Sequence, residues 1–373
     1  TDGKMTLVVN EQSVCHKFTV VGEVQIGKRF LELGINADKP YSPAELAKKF
    51  KLLRSIFPSR ADHTKIVNLL RNIKAKIKAD VDDGIAGVID TTSFIKGDTV
   101  YEFESELGKY LDDSYVIGCG NGTDALQIAL MALGLKPGDE VIVPAFTYVA
   151  TAEVIGLLRL TPVMVDVDPG TFNITAKIVE AAITSRTKAI VPVHLFGQSC
   201  DMESILEVAE AHSLHIIEDN AQAIGANYRF LDDTEKKAGT VGDVGTTSFY
   251  PAKNLGCYGD GGAIFTNDSE LATHLRTIAN HGQSRTYYHD VIGVNSRLDS
   301  IQAAVLDVKL KYLDDYARAR SEVASYYDEA FSEIDGLQTP IREEKSTHVF
   351  HQYTLRVKNG KRDELKKFLT EKG

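Results

Sequence analysis

Between Tyr115 and Thr266 the sequence alternates short runs rich in β-branched and aromatic residues with longer stretches of helical periodicity. The runs are YVIGCG, EVIVPAF, TPVMVDV, KAIVPVHLFG, LHIIEDN, GTTSFYP and GGAIFTN, and stretches such as DALQIALMALGL and DMESILEVAEAH separate most of them. Strands joined by helical crossovers form a mainly parallel sheet that helices cover on both faces. The alternation therefore predicts an α/β fold, in which ligands bind at the loops that follow the carboxyl ends of the strands.

The length and charge of the chain restrict its organisation and partners. With 373 residues, of which 43% are hydrophobic, it exceeds the size of one ordinary core, so we expect either two domains or one large α/β unit with an accessory part. The net charge of −10, without a long basic cluster, makes nucleic acid a poor partner. Charged residues interrupt the apolar stretch from Ala152 to Val167, which is well short of the ~20 residues that cross a membrane.

The four cysteines give no sign of a metal site or a disulfide framework. Cys15, Cys119, Cys200 and Cys257 lie far apart, with no CxxC pair and no tight Cys/His cluster. The first residues, TDGKMTLVVNE, lack the basic start and apolar block of a secretory signal. These features predict a cytoplasmic protein without bound metal, since scattered thiols suit a reducing compartment.

The two ends of the chain differ from the alternating region. Near the amino terminus KFTVVGEVQIG has strand-like alternation, and the capping box Ser42 to Glu45 opens a predicted helix. A long amphipathic helix is predicted from about Thr64 to Ile89, and helices follow Asn267 before a strand-like HVFHQYTLRV and a final helix. We predict an amino-terminal packing or interaction module over residues 1–65, a large ligand-binding domain over 66–315, and a further domain beginning at 316.

Three motifs follow strands of the predicted sheet. The first, GCGNGTD from Gly118 to Asp124, stands between a strand and a helix, where glycine backbone N–H groups and the Thr123 hydroxyl can bind a phosphate. It matches neither the dinucleotide GxGxxG motif nor the P-loop. The alternative is a simple tight turn in which Thr123 or Asp124 caps the helix.

The second motif, IIEDNAQA, ends an apolar strand in Asp219 at the ligand-binding edge. A carboxylate there can pair with a protonated ring nitrogen, and Gln222 can offer an amide to a ring substituent; alternatively, Asp219 caps the following segment. The third motif, SFYPAKNLG, holds Lys253 between proline and glycine, five residues after Ser248. A phosphate cradle, an acid and a rigidly held lysine are together what an enzyme dependent on pyridoxal 5′-phosphate (PLP) needs, because lysine amines form Schiff bases with aldehydes.

The sequence resembles the fold-type-I, PLP-dependent aminotransferases of the DegT/StrS type, which act on keto sugars attached to nucleotides. The resemblance runs from about Ile66 to Gly373 and rests on SFIKG, GCGNGTDAL, GDEVIVPAFTYVAT, PVMVDVDPGTFNI, KAIVPVHLFGQSCDM, IIEDNAQAIGA, SFYPAKNLGCYGDGGA and GVNSRLDSIQAA. It implies a large domain around a mainly parallel sheet, a small C-terminal α+β domain over residues 316–373, and a homodimer with shared active sites.

The resemblance also implies a role for each matching residue. Lys253 forms the Schiff base, Asp219 pairs with the pyridine nitrogen, Gln222 faces the phenolic oxygen and Tyr148 stacks on the ring. Three residues hold the phosphate: Gly122, Thr123 and Ser248. The partner subunit supplies Asn295 of the GxNxR segment. Taken alone, Tyr148 would be a half-buried aromatic residue and Asn295 a polar loop residue.

Histidines and a tyrosine are candidate substrate contacts. His194 follows a strand and either approaches the site or is a core histidine with its hydrogen bonds satisfied. The other three candidates are Tyr258, His348 and His351.

The stretches from KKAGTVGDVG to AIFTND and from ANHGQSRTYYHD to SIQAAVL, together with HVFHQY, are similar to the branch that aminates C3 of UDP-linked 3-oxo-N-acetylhexosamines. That branch includes the 3-oxo-glucuronate enzymes of bacterial surface-polysaccharide and O-antigen synthesis, and glutamate is the usual amino donor. Two alternatives stay open. One is a PLP-dependent sugar dehydratase, in which a histidine replaces the lysine; the other is a regulatory relative that binds PLP or sugar without turnover.

The chain departs from the family at both ends. Residues 1–65 match nothing in it, and the chain ends at Gly373, inside the region that resembles the small domain. We therefore expect an incomplete small domain, in which either residues are missing or the amino-terminal module occupies their place.

Overall fold

The structure, a computed structural model, describes residues 4–9, 15–21 and 77–372. The chain divides into two compact units: the larger consists of Ile77–Arg318 and Ile341–His351, and the smaller of Thr1–Lys76, Ala319–Pro340 and Gln352–Gly373. Residues 341–351 thus belong with the larger unit, although they fall within the predicted C-terminal domain. The domain limits at 65/66 and 315/316 stay predictions, and the capping box at Ser42 lies outside the described residues.

A seven-stranded sheet forms the centre of the larger unit. In order across the sheet, its strands are β3 Tyr115–Cys119, β11 Gly262–Thr266, β10 Val244–Ser248, β7 His215–Asp219, β6 Thr187–Ile190, β4 Glu140–Pro144 and β5 Thr161–Val165. The strands from β10 to β5 are parallel, whereas β11 is antiparallel to both of its neighbours. The prediction of a mainly parallel α/β fold is confirmed.

Helices connect β3 to β4, β4 to β5, β5 to β6 and β6 to β7, and further helices precede or follow the sheet strands in the chain. They are α1 (described over 77–91), α2 Asp98–Tyr110, α3 Gly122–Ala132, α4 Ala150–Leu157, α5 Ala176–Ala182, α6 Met202–His212, α7 Ser269–Ala279, α8 Ser300–Leu310 and α9 Leu313–Phe331. Two short hairpins are β8 Asn227–Arg229 with β9 Glu235–Lys237, and β12 Gln283–Arg285 with β13 Tyr288–His289. The predicted helix between Thr64 and Ile89 is helical from 77 to 91, and its predicted start lies outside the described residues.

Alternate residues of each strand face opposite sides of the sheet, so the apolar runs pack against helices on both sides. On β7, Ile217 packs in the cluster that contains α3, α4 and α7 residues, whereas Ile216 packs with α5 and α6 residues on the other face. On β11, Phe265 joins α2 and α8 residues in a third cluster. Every strand residue of β4 and β11 is buried, as expected for central strands covered on both faces.

The smaller unit contains short antiparallel pairings. Strand β2 (Cys15–Val21) pairs with β1 (Lys4–Val9) and with β15 (Tyr353–Thr354). Strand β14 (Leu337–Gln338) pairs with β16 (Arg356–Val357), and α10 spans Arg362–Lys372.

The predicted strand HVFHQYTLRV is strand only at β15 and β16. Before β15 the extended conformation is limited to a bridge between His348 and Gln198, because Phe350 has a φ of 46°.

In the described ranges, each helix is too short or too polar to span a bilayer. The same residues contain no group of three or more His, Cys, Asp or Glu side chains arranged to hold a metal ion.

One ion pair at the amino end of the sheet predicts that the stability of the fold depends on pH. Nδ1 of His215 lies 3.5 Å from Oδ2 of Asp243, and this carboxylate raises the pKa of His215 above its ordinary value of 6.5. The pair stabilises the fold below about pH 6.5, and its contribution is lost as the pH rises through the folded-state pKa. Since both side chains are about half exposed, we expect the pair to contribute less than about 0.5 kcal/mol to the free energy of unfolding.

NMR titration of His215 tests this prediction. Asp243→Asn should return the pKa of His215 toward 6.5, and urea unfolding should lose its small difference between pH 6 and pH 8.5. An unchanged His215 pKa in the variant would contradict the pairing.

Candidate active site

Three strands bring the predicted motifs to one edge of the sheet. Asp219, the last residue of β7, is in register with Thr246 of β10. Ser248, the last residue of β10, is in register with Gly262 of β11, which pairs with the end of β3. The carboxyl ends of β3, β7 and β10 therefore share this edge, which is where parallel α/β sheets bind ligands.

The loop after β3 presents a helix amino terminus to this edge. The Asn121 side chain caps α3 by accepting a 2.9 Å hydrogen bond from the backbone N–H of Asp124. The cap is therefore Asn121, not Thr123 or Asp124, because Asn121 is the extended residue before the helix. The backbone N–H groups of Gly122 and Thr123 lie in the first turn, where helices have no internal acceptor and attract anions.

Ser296 fixes this loop from the segment before α8. Its Oγ accepts the Gly120 N–H at 2.9 Å and donates to Asp124 at 2.6 Å. The loop is therefore held on both sides of the two outward-facing amides.

Gly122 also packs directly on Ser248. A Cβ atom at Gly122 would lie 2.7 Å from the Ser248 Cβ and 3.3 Å from its Oγ, so the glycine is required by close approach. Two of the three residues predicted to hold a phosphate are thus in contact, and Thr123 follows Gly122 in the same turn.

Gly122→Ala should lower PLP affinity by at least about tenfold, because the methyl group pushes α3 away from Ser248. Gly156→Ala is the matched control: Gly156 is a helical glycine of α4 with open space at the Cβ position, and alanine there should stabilise the fold by about 0.5–1 kcal/mol. Spectrophotometric titration of each apo-protein with PLP, together with thermal unfolding, measures both effects. Equal PLP affinity in the two variants would show that the close packing is not needed.

Asp219 has a defined orientation at the edge. It is 6% exposed, its Oδ2 accepts the Thr151 hydroxyl at 2.8 Å, and its Oδ1 accepts the Ala221 N–H at 3.2 Å. Thr151 lies in α4, three residues after Tyr148, whose ring is 66% exposed. The segment after β4 thus supplies both an accessible aromatic ring, from its loop, and the hydroxyl that orients Asp219, from the first turn of α4.

The Gln222 amide is also oriented. Its Oε1 accepts the backbone N–H of Phe196 at 2.7 Å, which leaves the Nε2 hydrogens to donate elsewhere. Phe196 has a φ of 59°, a conformation that costs free energy and is common near functional sites.

Lys253 lies half-buried in the loop after β10, where its N–H donates to Tyr250 O at 2.8 Å. The loop is anchored by its neighbours: Asn254 donates to Val349 O at 3.0 Å, and the Tyr258 N–H donates to Gln302 of α8 at 2.8 Å.

Lys309 supports the same loop by donating to Gly256 O at 2.5 Å and lying 4.5 Å from the centroid of the Tyr258 ring. Burial lowers the pKa of Lys309.

The structure corrects the predicted substrate contact of His194. This residue is fully buried, with Nε2 2.7 Å from Glu218 Oε2 and Nδ1 accepting the Cys200 N–H at 3.2 Å. Both ring nitrogens are bonded within the protein, so the alternative, a core histidine, describes it.

The remaining candidates have different environments. Tyr258 is 54% exposed. His348 stacks on Phe350 with ring centroids 3.8 Å apart, and its burial lowers its pKa to about 3. His351 is buried, whereas Asn295 is exposed on the segment that precedes α8. Their substrate or partner contacts stay predictions.

Sequence reasoning missed Thr151, Glu218 and Ser296. Thr151 could have been found, because it lies one helical turn after Tyr148 in AFTYVAT. Ser296 has no such signal, since 176 residues separate it from Gly120, the glycine that it binds.

A cavity of about 730 Å³ lies elsewhere in the larger unit. It is lined by Tyr115 and Val116 at the start of β3 and by Glu104, whose pKa burial raises despite the ion pair with Arg276. The predicted phosphate-binding loop, the GCGNGTD segment, follows the opposite end of β3, so this cavity is separate from the three motifs that meet at the carboxyl edge of the sheet.

Comparison with known proteins gives matches over most of the chain. The family model described as the DegT/DnrJ/EryC1/StrS aminotransferase family matches residues 75–373. The UDP-2-acetamido-2-deoxy-3-oxo-D-glucuronate aminotransferase of Pseudomonas aeruginosa is 49% identical over 290 residues, covering 78% of this chain and 79% of that protein.

Two further relatives have similar coverage. A pleiotropic regulatory protein of Geobacillus stearothermophilus is 49% identical over 80% of this chain and 79% of its own length. A UDP-N-acetyl-3-dehydro-α-D-glucosamine 3-aminotransferase of Acidithiobacillus ferrooxidans is 44% identical over 82% of this chain and 80% of its own length.

Solved structures agree with the fold. DesV of S. venezuelae superposes with a TM-score of 0.76 at 41% identity, covering 81% of this chain and 80% of that one. NtdA of Bacillus subtilis, with bound cofactor PMP, gives a TM-score of 0.71 at 35% identity. The match covers 78% of this chain and 66% of that one.

Proposed function

The chain belongs to the DegT/DnrJ/EryC1/StrS aminotransferase family, and from this premise we propose that it is a PLP-dependent aminotransferase of nucleotide-linked keto sugars. We propose glutamate as the amino donor and, as acceptor, C3 of a UDP-linked 3-oxo-N-acetylhexosamine or its uronic acid. The observation that carries the proposal is the convergence of the α3 amino terminus, Asp219 and the Lys253 loop at one sheet edge.

The residues at this edge fit PLP. Gly122 lies against Ser248, so two outward-facing amides and a hydroxyl are available for a phosphate. Asp219, oriented by Thr151, would pair with the ring nitrogen. The donor atoms of Gln222 would face the phenolic oxygen, because its Oε1 is already bonded. NtdA, a structural neighbour, contains the amino form of the same cofactor, PMP, which supports this assignment.

When bound, PLP supplies an aldehyde that links to amines and a ring that accepts electrons. The Lys253 Nζ would hold the cofactor and then move a proton at the substrate carbon, which fixes the stereochemistry. The Asp219 carboxylate would hold a proton on the ring nitrogen. Tyr148, whose ring is exposed at this edge, would cover one face of the cofactor and exclude water.

The substrate proposal rests on two relatives that are named for UDP-linked 3-oxo or 3-dehydro sugars. Such an activity would serve bacterial surface-polysaccharide synthesis, including O-antigen precursors. Lys253 argues against the dehydratase alternative. A regulatory role remains the second candidate, because a relative at 49% identity is named as a pleiotropic regulatory protein.

We also propose a cytoplasmic homodimer with shared active sites. Cys119, Cys200 and Cys257 are buried free thiols, which suit a reducing compartment. Asn295 is exposed and adjoins Ser296, the residue that fixes the phosphate cradle, so it is available to a partner subunit.

Mass spectrometry of products from a panel of UDP- and dTDP-linked keto sugars with glutamate tests activity and substrate together. The expected result is an amino sugar from the UDP-linked 3-oxo substrates and 2-oxoglutarate in equal amount. PLP binding without any amino-sugar product would instead favour the regulatory role.

A further inference from the structure

Glu218, the residue before Asp219, carries a carboxylate on the opposite face of the sheet. Strand alternation places Glu218 on the side of Ile216, which packs with α5 and α6, and Asp219 on the side of Ile217, which packs with α3. The Glu218 side chain is fully buried. It therefore cannot touch a ligand that Asp219 binds, yet only one peptide unit separates the two residues.

Four donors surround the Glu218 carboxylate. Oε1 accepts the N–H groups of Val241 at 2.7 Å and Gly242 at 2.6 Å. Oε2 accepts the Gly239 N–H at 2.8 Å and lies 2.7 Å from His194 Nε2. Because both oxygens serve only as acceptors in these contacts, the group is an ionised carboxylate.

The four donors are neutral. Although burial opposes it, hydrogen bonds to Cys200 and Glu218 raise the pKa of His194. A second ring proton would have to sit on Nδ1, however, and Nδ1 already accepts the Cys200 N–H, so in this arrangement the ring is neutral and its one proton is on Nε2, pointing at Glu218. The other three donors are backbone amides. The set thus solvates the carboxylate without a cation, and the site keeps a full negative charge inside the protein.

The backbone holds this charge rigidly beside Asp219. The His194 N–H donates to Asp219 O at 3.1 Å, and the Asp219 N–H donates to Pro192 O at 2.9 Å. The Thr246 hydroxyl donates to Glu218 O at 3.1 Å. The backbone at the end of β7 is therefore held on one side by the segment after β6 and on the other by β10, which fixes the relative positions of the Glu218 and Asp219 backbones.

We propose that Glu218, held by His194, is a positioning residue that supplies a fixed negative charge behind Asp219 and so favours a positively charged ring nitrogen on the cofactor. The inference rests on the proposed function, since it requires PLP at Asp219. Asp219 contacts the ring nitrogen, and Glu218 acts through the electrostatic potential at that site.

The test compares PLP with its 1-deaza analogue, in which a C–H group replaces the ring nitrogen. Apo-Glu218→Gln should bind PLP about tenfold more weakly than the parental apo-protein, the size expected for one charge at about 10 Å and an effective dielectric constant of about 20. Its affinity for the deaza analogue should change less than about twofold, because that ring carries no proton. Both values come from spectrophotometric titration.

Glu140→Gln is the matched control. Glu140 is also buried and bonded, to Thr184 and Arg186, but it begins β4 at the opposite edge. This variant should bind both ligands as the parental protein does. Thermal unfolding of each apo-protein identifies any loss of fold.

His194→Asn provides a second variant in case Glu218→Gln does not fold. Losing the imidazole removes one of the hydrogen bonds that keep the Glu218 carboxylate charged, so the ionised share of Glu218 should fall, weakening PLP binding about threefold and leaving the deaza analogue unchanged. Equal weakening of both ligands in the folded variants, or no weakening of either, would overturn the inference while leaving the proposed function intact. Failure of the parental protein to bind PLP would overturn the proposed function, and this inference with it.

Discussion

We expect Lys253→Ala to abolish amino transfer, with a loss of about 10⁴-fold or more in kcat. The amine is the one group in the Lys253 loop that can both link to the cofactor and move a proton, and three anchors hold that loop, at Asn254, Gly256 and Tyr258. Because these contacts involve the backbone or neighbouring side chains, the variant should fold as the parental protein does. Product formation by mass spectrometry, thermal unfolding and the visible absorbance of bound PLP measure the result.

Two further variants make the Lys253 result specific. Lys253→Arg keeps a positive charge but should be nearly as inactive, because a guanidinium forms no stable linkage to an aldehyde and rarely gives up a proton. Lys188→Ala removes an exposed lysine of β6 and should retain full activity. Substantial activity in folded Lys253→Ala, with PLP absorbance unchanged, would disprove the assignment of this lysine.

Asp219→Asn should lower kcat by about 10²- to 10³-fold with a smaller change in KM. The amide is isosteric with the carboxylate and can still accept the Thr151 hydroxyl, so the loss reports the missing charge opposite the ring nitrogen. The absorbance maximum of bound PLP should also shift, because the ring is less often protonated. Steady-state kinetics and absorbance spectra check both expectations.

Asp268→Asn is the control for replacing a carboxylate by an amide. Asp268 caps α7 by accepting the N–H groups of Glu270 and Leu271, and asparagine caps helices equally well. Its activity and stability should stay close to those of the parental protein. If Asp219→Asn behaved in the same way, Asp219 would be only a structural residue of the strand end.

Much of the fold was predictable because it depends on local patterns. Alternating runs and helical stretches predicted the strands of the larger unit, and Asp219 does end β7 as expected. The position of β11 between β3 and β10 was not predictable, since an antiparallel central strand depends on pairing between distant segments. Nor was the break between α8 and α9, since the sequence predicted helices after Asn267 without their limits.

The candidate site shows the same division. Gly122, Asp219 and Lys253 were predicted from their positions after strands and from a family resemblance. Their arrangement required the sheet register, which aligns Thr246 with Asp219 and leaves Gly122 against Ser248. His194 was ambiguous because periodicity does not show which way a ring at a strand end faces.

The sequence by itself determined the class of fold, the order of the motifs and the residue types able to carry the chemistry, because each depends on neighbours within about one turn or strand. Only the tertiary structure decided which groups meet. It paired His194 with Glu218 instead of the substrate, assigned Thr151 to Asp219, and held the phosphate cradle with Ser296. These contacts join residues that are 24, 68 and 176 positions apart, a separation over which local pattern carries no information and only packing selects the partners.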